Sequence, residues 1–115
     1  MPYIYILRCE DQSLYTGIAK DVRRRIREHY YRKKTGAKYT KSHPVQALEM
    51  VWETDSWSDA GKLEYRIKRL KKERKEELLL HPERADQMAD GTYRPCPEMT
   101  LSMCLAKEEV ADGQA

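Results

Sequence analysis

The chain has 115 residues, of which 36% are charged, and this is enough for one domain around a single modest core. No run is long or apolar enough to span a bilayer, and Met1-Pro2 leads straight towards a strand rather than a leader, so the expectation is a soluble, cytoplasmic protein with no membrane association. Residues 1–80 hold 19 Lys and Arg against 12 Asp and Glu, whereas residues 81–115 hold 3 against 7, and a basic body with an acidic end favours a polyanionic partner over a neutral one.

The first predicted element is a β-hairpin. Ile4 and Ile6 alternate with Tyr3 and Tyr5, and a polar break, Glu10-Asp11-Gln12-Ser13, separates this run from Leu14 and Tyr15. Alternation puts Tyr3 and Tyr5 on one face, where strand tyrosines commonly pack with their hydroxyls at the edge. Gly17 is expected to end the second strand and to permit close backbone approach there, or to act as a simple turn glycine.

Asp21 is a good N-cap for a basic helix over residues 22–32. Val22, Ile26 and Tyr30 recur every four residues and predict its buried stripe. Arg25 and His29 share a face beside that stripe, while Arg23, Arg24 and Arg27 fall where solvent or phosphate could meet them. In isolation His29 reads as a surface or packing histidine. The stretch from Arg32 through Lys33, Lys34 and Lys38 to Lys41 is basic and carries Gly36 and Tyr39. Cations that track phosphates beside an aromatic that can stack on a base suit nucleic-acid contact.

His43-Pro44 marks a break. Residues 47–53 follow as the expected third strand, because a lone hairpin would be marginal in water. Ser58 is the expected cap of a long helix with Ala60, Leu63, Ile67 and Leu70 at three-four spacing, interrupted near Lys71-Lys72 and stopped by His81-Pro82. Glu64 borders the apolar stripe and on this helix alone reads as an i,i+4 partner for Lys68. Residues 81–115 show no sustained apolar period and are expected to form an acidic, partly disordered extension to a domain at 1–80. Cys9, Cys96 and Cys104 are odd in number and include no CxxC pair, which argues against a disulfide framework or a zinc site.

Taken as an ordered set, Tyr3-Ile4-Tyr5, Tyr15-Thr16-Gly17, Arg25, His29 and the run Leu63 to Leu70 resemble the GIY-YIG nuclease domain, in particular its small stand-alone bacterial members. The likeness covers roughly residues 2–80. Neither half of the motif is literal, since the first triplet lacks its glycine and Thr16 replaces an isoleucine. The chain also has no asparagine, whereas many larger members carry one late in the domain. The resemblance implies an α+β fold, a three-stranded antiparallel sheet flanked by helices. It implies a metal-dependent endonuclease acting on DNA, in repair or recombination, with RNA left open.

On that likeness Tyr5, Tyr15, Arg25, His29 and Glu64 would be catalytic. Glu64 would hold Mg²⁺ or Mn²⁺, an assignment that replaces the plain salt-bridge reading. Gly17, Arg24, Arg32, Lys33, Lys34 and Lys38 would contact substrate. The chemistry suits these residue types. A planar, permanently charged guanidinium can oppose charge building on a phosphate, and magnesium takes only one or two protein carboxylates. Tyr5 or Tyr15 could accept a water's proton if nearby cations favour its phenolate. Two rivals keep the fold without the turnover: a non-catalytic nucleic-acid-binding module, and a protein-interaction domain using its basic face. The protein is expected to be a monomer.

Overall fold

A computed structural model describes residues 1–32 and 37–106. The hairpin forms as expected, with β1 (Tyr3–Cys9) and β2 (Leu14–Ala19) antiparallel, and Gln12 taking the positive φ of 72° that closes the turn. After it come α1 (Val22–Tyr30), α2 (Lys38–Ser42), β3 (Val45–Thr54), α3 (Trp57–Lys68) and α4 (Lys72–Leu80). A 3₁₀ turn (Pro82–Gln87), β4 (Tyr93–Pro95) and α5 (Leu101–Leu105) complete the described chain.

Among the described residues the sheet has four strands in the order β2-β1-β3-β4, not the expected three. The extra strand comes from the segment expected to trail: Tyr93 to Pro95 pair antiparallel with Thr54 to Trp52. Its three residues are too short to announce themselves by alternation. Tertiary contacts hold it instead, since the hydroxyl of the buried Tyr93 shares its one proton between the carbonyls of Asp59 (2.9 Å) and Asp90 (2.6 Å). Residues 81–106 therefore pack on the domain rather than extend from it. Ala85 and Cys104 are fully buried, and the Trp52 indole N–H donates to the Pro82 carbonyl at 2.9 Å.

The pleat sends alternate residues to two cores. Ile4, Ile6, Met50 and Trp52 face α3 and α4, meeting Ala60, Leu63, Ile67 and Leu78. Tyr5, Leu7, Leu48 and Val51 face α1 and α5, meeting Val22, Ile26 and Cys104. Each fully buried aliphatic side chain contributes about 2 kcal/mol of transfer free energy. Arg8 fastens α4 to the sheet by a bidentate bond to Glu76 (2.6 and 2.8 Å) and a third bond to Glu49 (2.6 Å).

Several local expectations shift. Helix α1 ends at Tyr30 rather than residue 32 and buries Val22, Ile26 and His29, leaving Tyr30 exposed. Strict four-residue spacing drifts around a 3.6-residue helix, so the buried stripe steps back to position 29. The cap of α3 is Ser56, whose hydroxyl accepts from the Asp59 N–H at 3.1 Å, two residues before the expected Ser58. Helix α4 is a separate piece, as the Lys71-Lys72 interruption suggested. Arg23 and Arg27 do not simply face solvent: they donate to the carbonyls of Met103 (2.7 Å) and Cys104 (3.1 Å), holding α5 against α1. No helix among the described residues is long and apolar enough to cross a membrane.

Candidate active site

The site gathers at β2, an edge strand, where the ladder pairs Tyr5 with Gly17 and Leu7 with Tyr15. Directly paired residues share a face, so Tyr5, Tyr15 and Gly17 all look towards α1. Gly17 does not end its strand. It lies within it because the Tyr5 phenol crosses its backbone: a Cβ at position 17 would meet the Tyr5 hydroxyl, stand 2.6 Å from Cζ of the same ring and lie 3.1 Å from Tyr15. The group that approaches the Gly17 backbone is thus a tyrosine of the same chain.

Helix α1 brings His29 against both tyrosines. Its ring centroid lies 5.5 Å from that of Tyr5 and 5.2 Å from that of Tyr15. His29 Nε2 is 2.6 Å from the Tyr5 hydroxyl, and Nδ1 is 2.7 Å from the Thr40 hydroxyl. The imidazole is fully buried. Burial, reinforced by the Arg25 charge, lowers its pKa to about 4, so it is neutral at physiological pH.

Arg25, one turn before His29, is braced by Glu28, which accepts from its Nη1 at 2.9 Å. Its guanidinium charge also acts on the Tyr5 oxygen. Two opposing influences meet on that phenol. Burial raises its pKa well above the ordinary 10, with Tyr15 and Glu64 adding to the rise, while Arg25 pulls it down. The Glu64 carboxylate, half-buried on α3, therefore acts on Tyr5 while pairing with Lys68 at 3.1 Å. The salt bridge to Lys68 read from the sequence is present.

Sequence reasoning missed three participants. Tyr39, read as a residue for an external base, stacks on Tyr15 at 5.6 Å and 22°, and His43 stacks on Tyr39 at 3.9 Å and 2°. Thr40, fully buried on α2, binds His29. Nothing in a lysine-rich stretch distinguishes that threonine; only the tertiary contact does. The expected substrate cations lie outside this cluster. Arg24 is exposed and pairs loosely with Glu28 at 3.5 Å, Arg32 is exposed with a φ of 55°, and Lys38 is exposed at the start of α2. Lys33 and Lys34 lie outside the described residues.

Among the described residues no three His, Cys, Asp or Glu side chains gather into a metal-binding group. The donor set here is one hard carboxylate at a partly open edge. That fits Mg²⁺ or Mn²⁺, which retain most of their water, and does not fit zinc, which needs three or four nitrogen or sulfur ligands.

Comparison with known proteins shows the family to which the chain is related. The family model described as the GIY-YIG catalytic domain matches residues 1–77. The UPF0213 protein FN1575 of Fusobacterium nucleatum is 51% identical over 81 residues, 70% of this chain and 79% of that protein. The UPF0213 protein YhbQ of Salmonella arizonae is 37% identical over 93 residues, 81% of this chain and 91% of that one. The solution NMR structure of the UPF0213 protein BH0048 from Bacillus halodurans shares 38% identity, covering 80% of this chain and all of that chain with a TM-score of 0.47.

Proposed function

The chain belongs to the GIY-YIG family, a family of endonucleases, and from that membership we propose that it hydrolyses DNA phosphodiester bonds with the help of Mg²⁺ or Mn²⁺, serving DNA repair or recombination. The observation that carries this reading is the convergence on one phenol: Tyr5 is bonded to His29 and within the electrostatic reach of Arg25, Glu64 and Tyr15. A structural tyrosine would need one such partner, not four.

In this reading Tyr5 is the general base. Attack forms a bond from a water oxygen to phosphorus and breaks the bond to the leaving sugar oxygen, which departs with the electron pair and takes a proton from solvent. The water's proton passes to the Tyr5 oxygen as the Tyr5 proton passes to His29 Nε2. In the unliganded site that transfer is opposed, because burial disfavours both phenolate and imidazolium. A substrate phosphate eases the transfer to His29 by setting negative charge against the Arg25 guanidinium, which adds to burial in suppressing imidazolium. Arg25 stabilises charge on the non-bridging oxygens. Tyr15, fixed between His29 and Tyr39, orients the phosphate or its water. Glu64 holds the cation, whose chemistry is to polarise the phosphate and acidify bound water.

The exposed Arg24, Arg32 and Lys38, with Lys33 and Lys34 in the same basic stretch, supply sequence-independent phosphate contacts, so affinity falls steeply with added salt. Gly17 serves substrate indirectly, by letting Tyr5 lie at the strand edge. The test is a cleavage assay over duplex, single-stranded, nicked and branched DNA, with RNA alongside, in Mg²⁺, Mn²⁺ or chelator. Metal-dependent cleavage of at least one DNA supports the reading. Binding without cleavage across the whole panel replaces it with the binding-module reading.

A further inference from the structure

The hydrogen-bond chain behind Tyr5 has a direction that its end groups dictate. At the far end, the Thr40 hydroxyl donates to the backbone carbonyl of Ala37 at 3.1 Å. A hydroxyl has one proton, so towards His29 the same oxygen can only accept. His29 Nδ1, 2.7 Å away, must then carry the proton, which leaves Nε2 bare.

The near end gives the same answer independently. The Arg25 guanidinium, which has donors and no acceptor, sets a positive charge that acts on the Tyr5 oxygen. The Tyr5 O–H therefore needs an acceptor elsewhere, and His29 Nε2 at 2.6 Å is the one present. The opposite polarity would leave the Ala37 carbonyl without its bond and drive the Tyr5 proton against a cation.

We propose that Thr40 is a positioning residue for the hydrolytic reaction: tied to the Ala37 carbonyl, it locks His29 in the Nδ1–H tautomer and so keeps Nε2 open to receive the Tyr5 proton. This rests on Tyr5 being the base. Which ring nitrogen of a histidine is available is set by the partner of the other nitrogen, and here that partner is a threonine contributed by a helix of only five residues. Short as it is, α2 is fixed by Tyr39 stacking on Tyr15 and by Thr40 being fully buried. The same helix that closes the aromatic row thus also sets the proton inventory of the site.

The experiment reads the tautomer directly, by long-range ¹⁵N–¹H correlation of the His29 ring in the wild-type protein, Thr40→Val and Thr40→Ser. The expected result is Nδ1–H in wild type and Thr40→Ser, with a shift towards Nε2–H in Thr40→Val. In cleavage assays on any substrate the wild type cuts, Thr40→Val is expected to lose roughly tenfold or more in kcat with KM for DNA unchanged, and Thr40→Ser to recover most of it. Nε2–H in the wild-type protein, or an unaltered tautomer in Thr40→Val, overturns the proposal. Should Thr40→Val fail to fold, the wild-type spectrum and the serine variant still decide. A wild type that never cleaves speaks against the nuclease reading, while the spectra continue to judge Thr40 on their own.

Discussion

Gly17 faces Tyr5 directly across the β1–β2 ladder, and the tyrosine ring fills the volume that a side chain at position 17 would need. The glycine of the second motif half and the tyrosine of the first are therefore one packing unit. Gly17→Ala is expected to push the phenol off His29 and to cost about 1–3 kcal/mol of stability, the usual range for overpacking. Urea unfolding measures the cost, and loss of the Tyr5–His29 hydrogen bond can be followed by the His29 ring nitrogens. An alanine variant with wild-type stability and an undisturbed imidazole would show that the ring has room to spare.

Thr16, between the motif's Tyr15 and Gly17, carries a hydroxyl that is buried and has no hydrogen-bond partner among the described residues. Leaving such a group unsatisfied costs about 1–3 kcal/mol. Thr16→Val is expected to stabilise the fold by about 1 kcal/mol, read as a higher urea midpoint at constant m-value. Destabilisation would mean that the hydroxyl has a partner when the protein is in water.

The hairpin and the order of the main elements are legible in the sequence, because alternation and helical spacing are local signals, whereas the grouping of Tyr5, Tyr15, Arg25 and Glu64 is legible only through the resemblance to a family. Strand β4 and helix α5 are not. Tyr93 and Cys104 are buried by contacts distant in sequence, and three-residue and five-residue elements are too short to carry a period. The role of Thr40 is illegible for the same reason, and Tyr30, expected in the buried stripe of α1, is exposed because a strict four-residue count outruns the helical repeat.

Removing everything after Asp90 tests how much the C-terminal segment belongs to the fold. The truncation deletes a buried tyrosine with two hydrogen bonds, a sheet strand and the cover over Val22 and Ile26. It is expected to lose more than about 3 kcal/mol, comparable to emptying one large aromatic site. Unchanged denaturant unfolding would show that residues beyond 90 are dispensable.

The pKa of His29 makes a signed prediction. Its folded value is lowered from 6.5 to about 4 by burial and by Arg25, with Glu28 opposing weakly. The fold therefore favours the neutral ring. That contribution is complete above pH 6.5 and is lost as pH falls from there towards 4, because the unfolded chain takes up a proton that the native chain refuses. Stability of the wild type should fall over this window, and His29→Gln should flatten part of the fall. An NMR titration placing the His29 midpoint near 6.5 would contradict the buried, neutral imidazole on which the proton transfer depends.

The most direct test is the single-turnover cleavage rate of Glu64→Gln against wild type, on whichever DNA the wild type cuts, in saturating Mg²⁺. Glutamine keeps the shape of the side chain and removes the charge a divalent cation requires. The prediction is a rate reduced to background, with thermal unfolding unchanged and metal-free DNA affinity equal or slightly greater, since a negative charge near the phosphate is gone. Equal rates for the two proteins at matched purity would mean that the cluster around Tyr5 and Glu64 is not where the phosphodiester is broken.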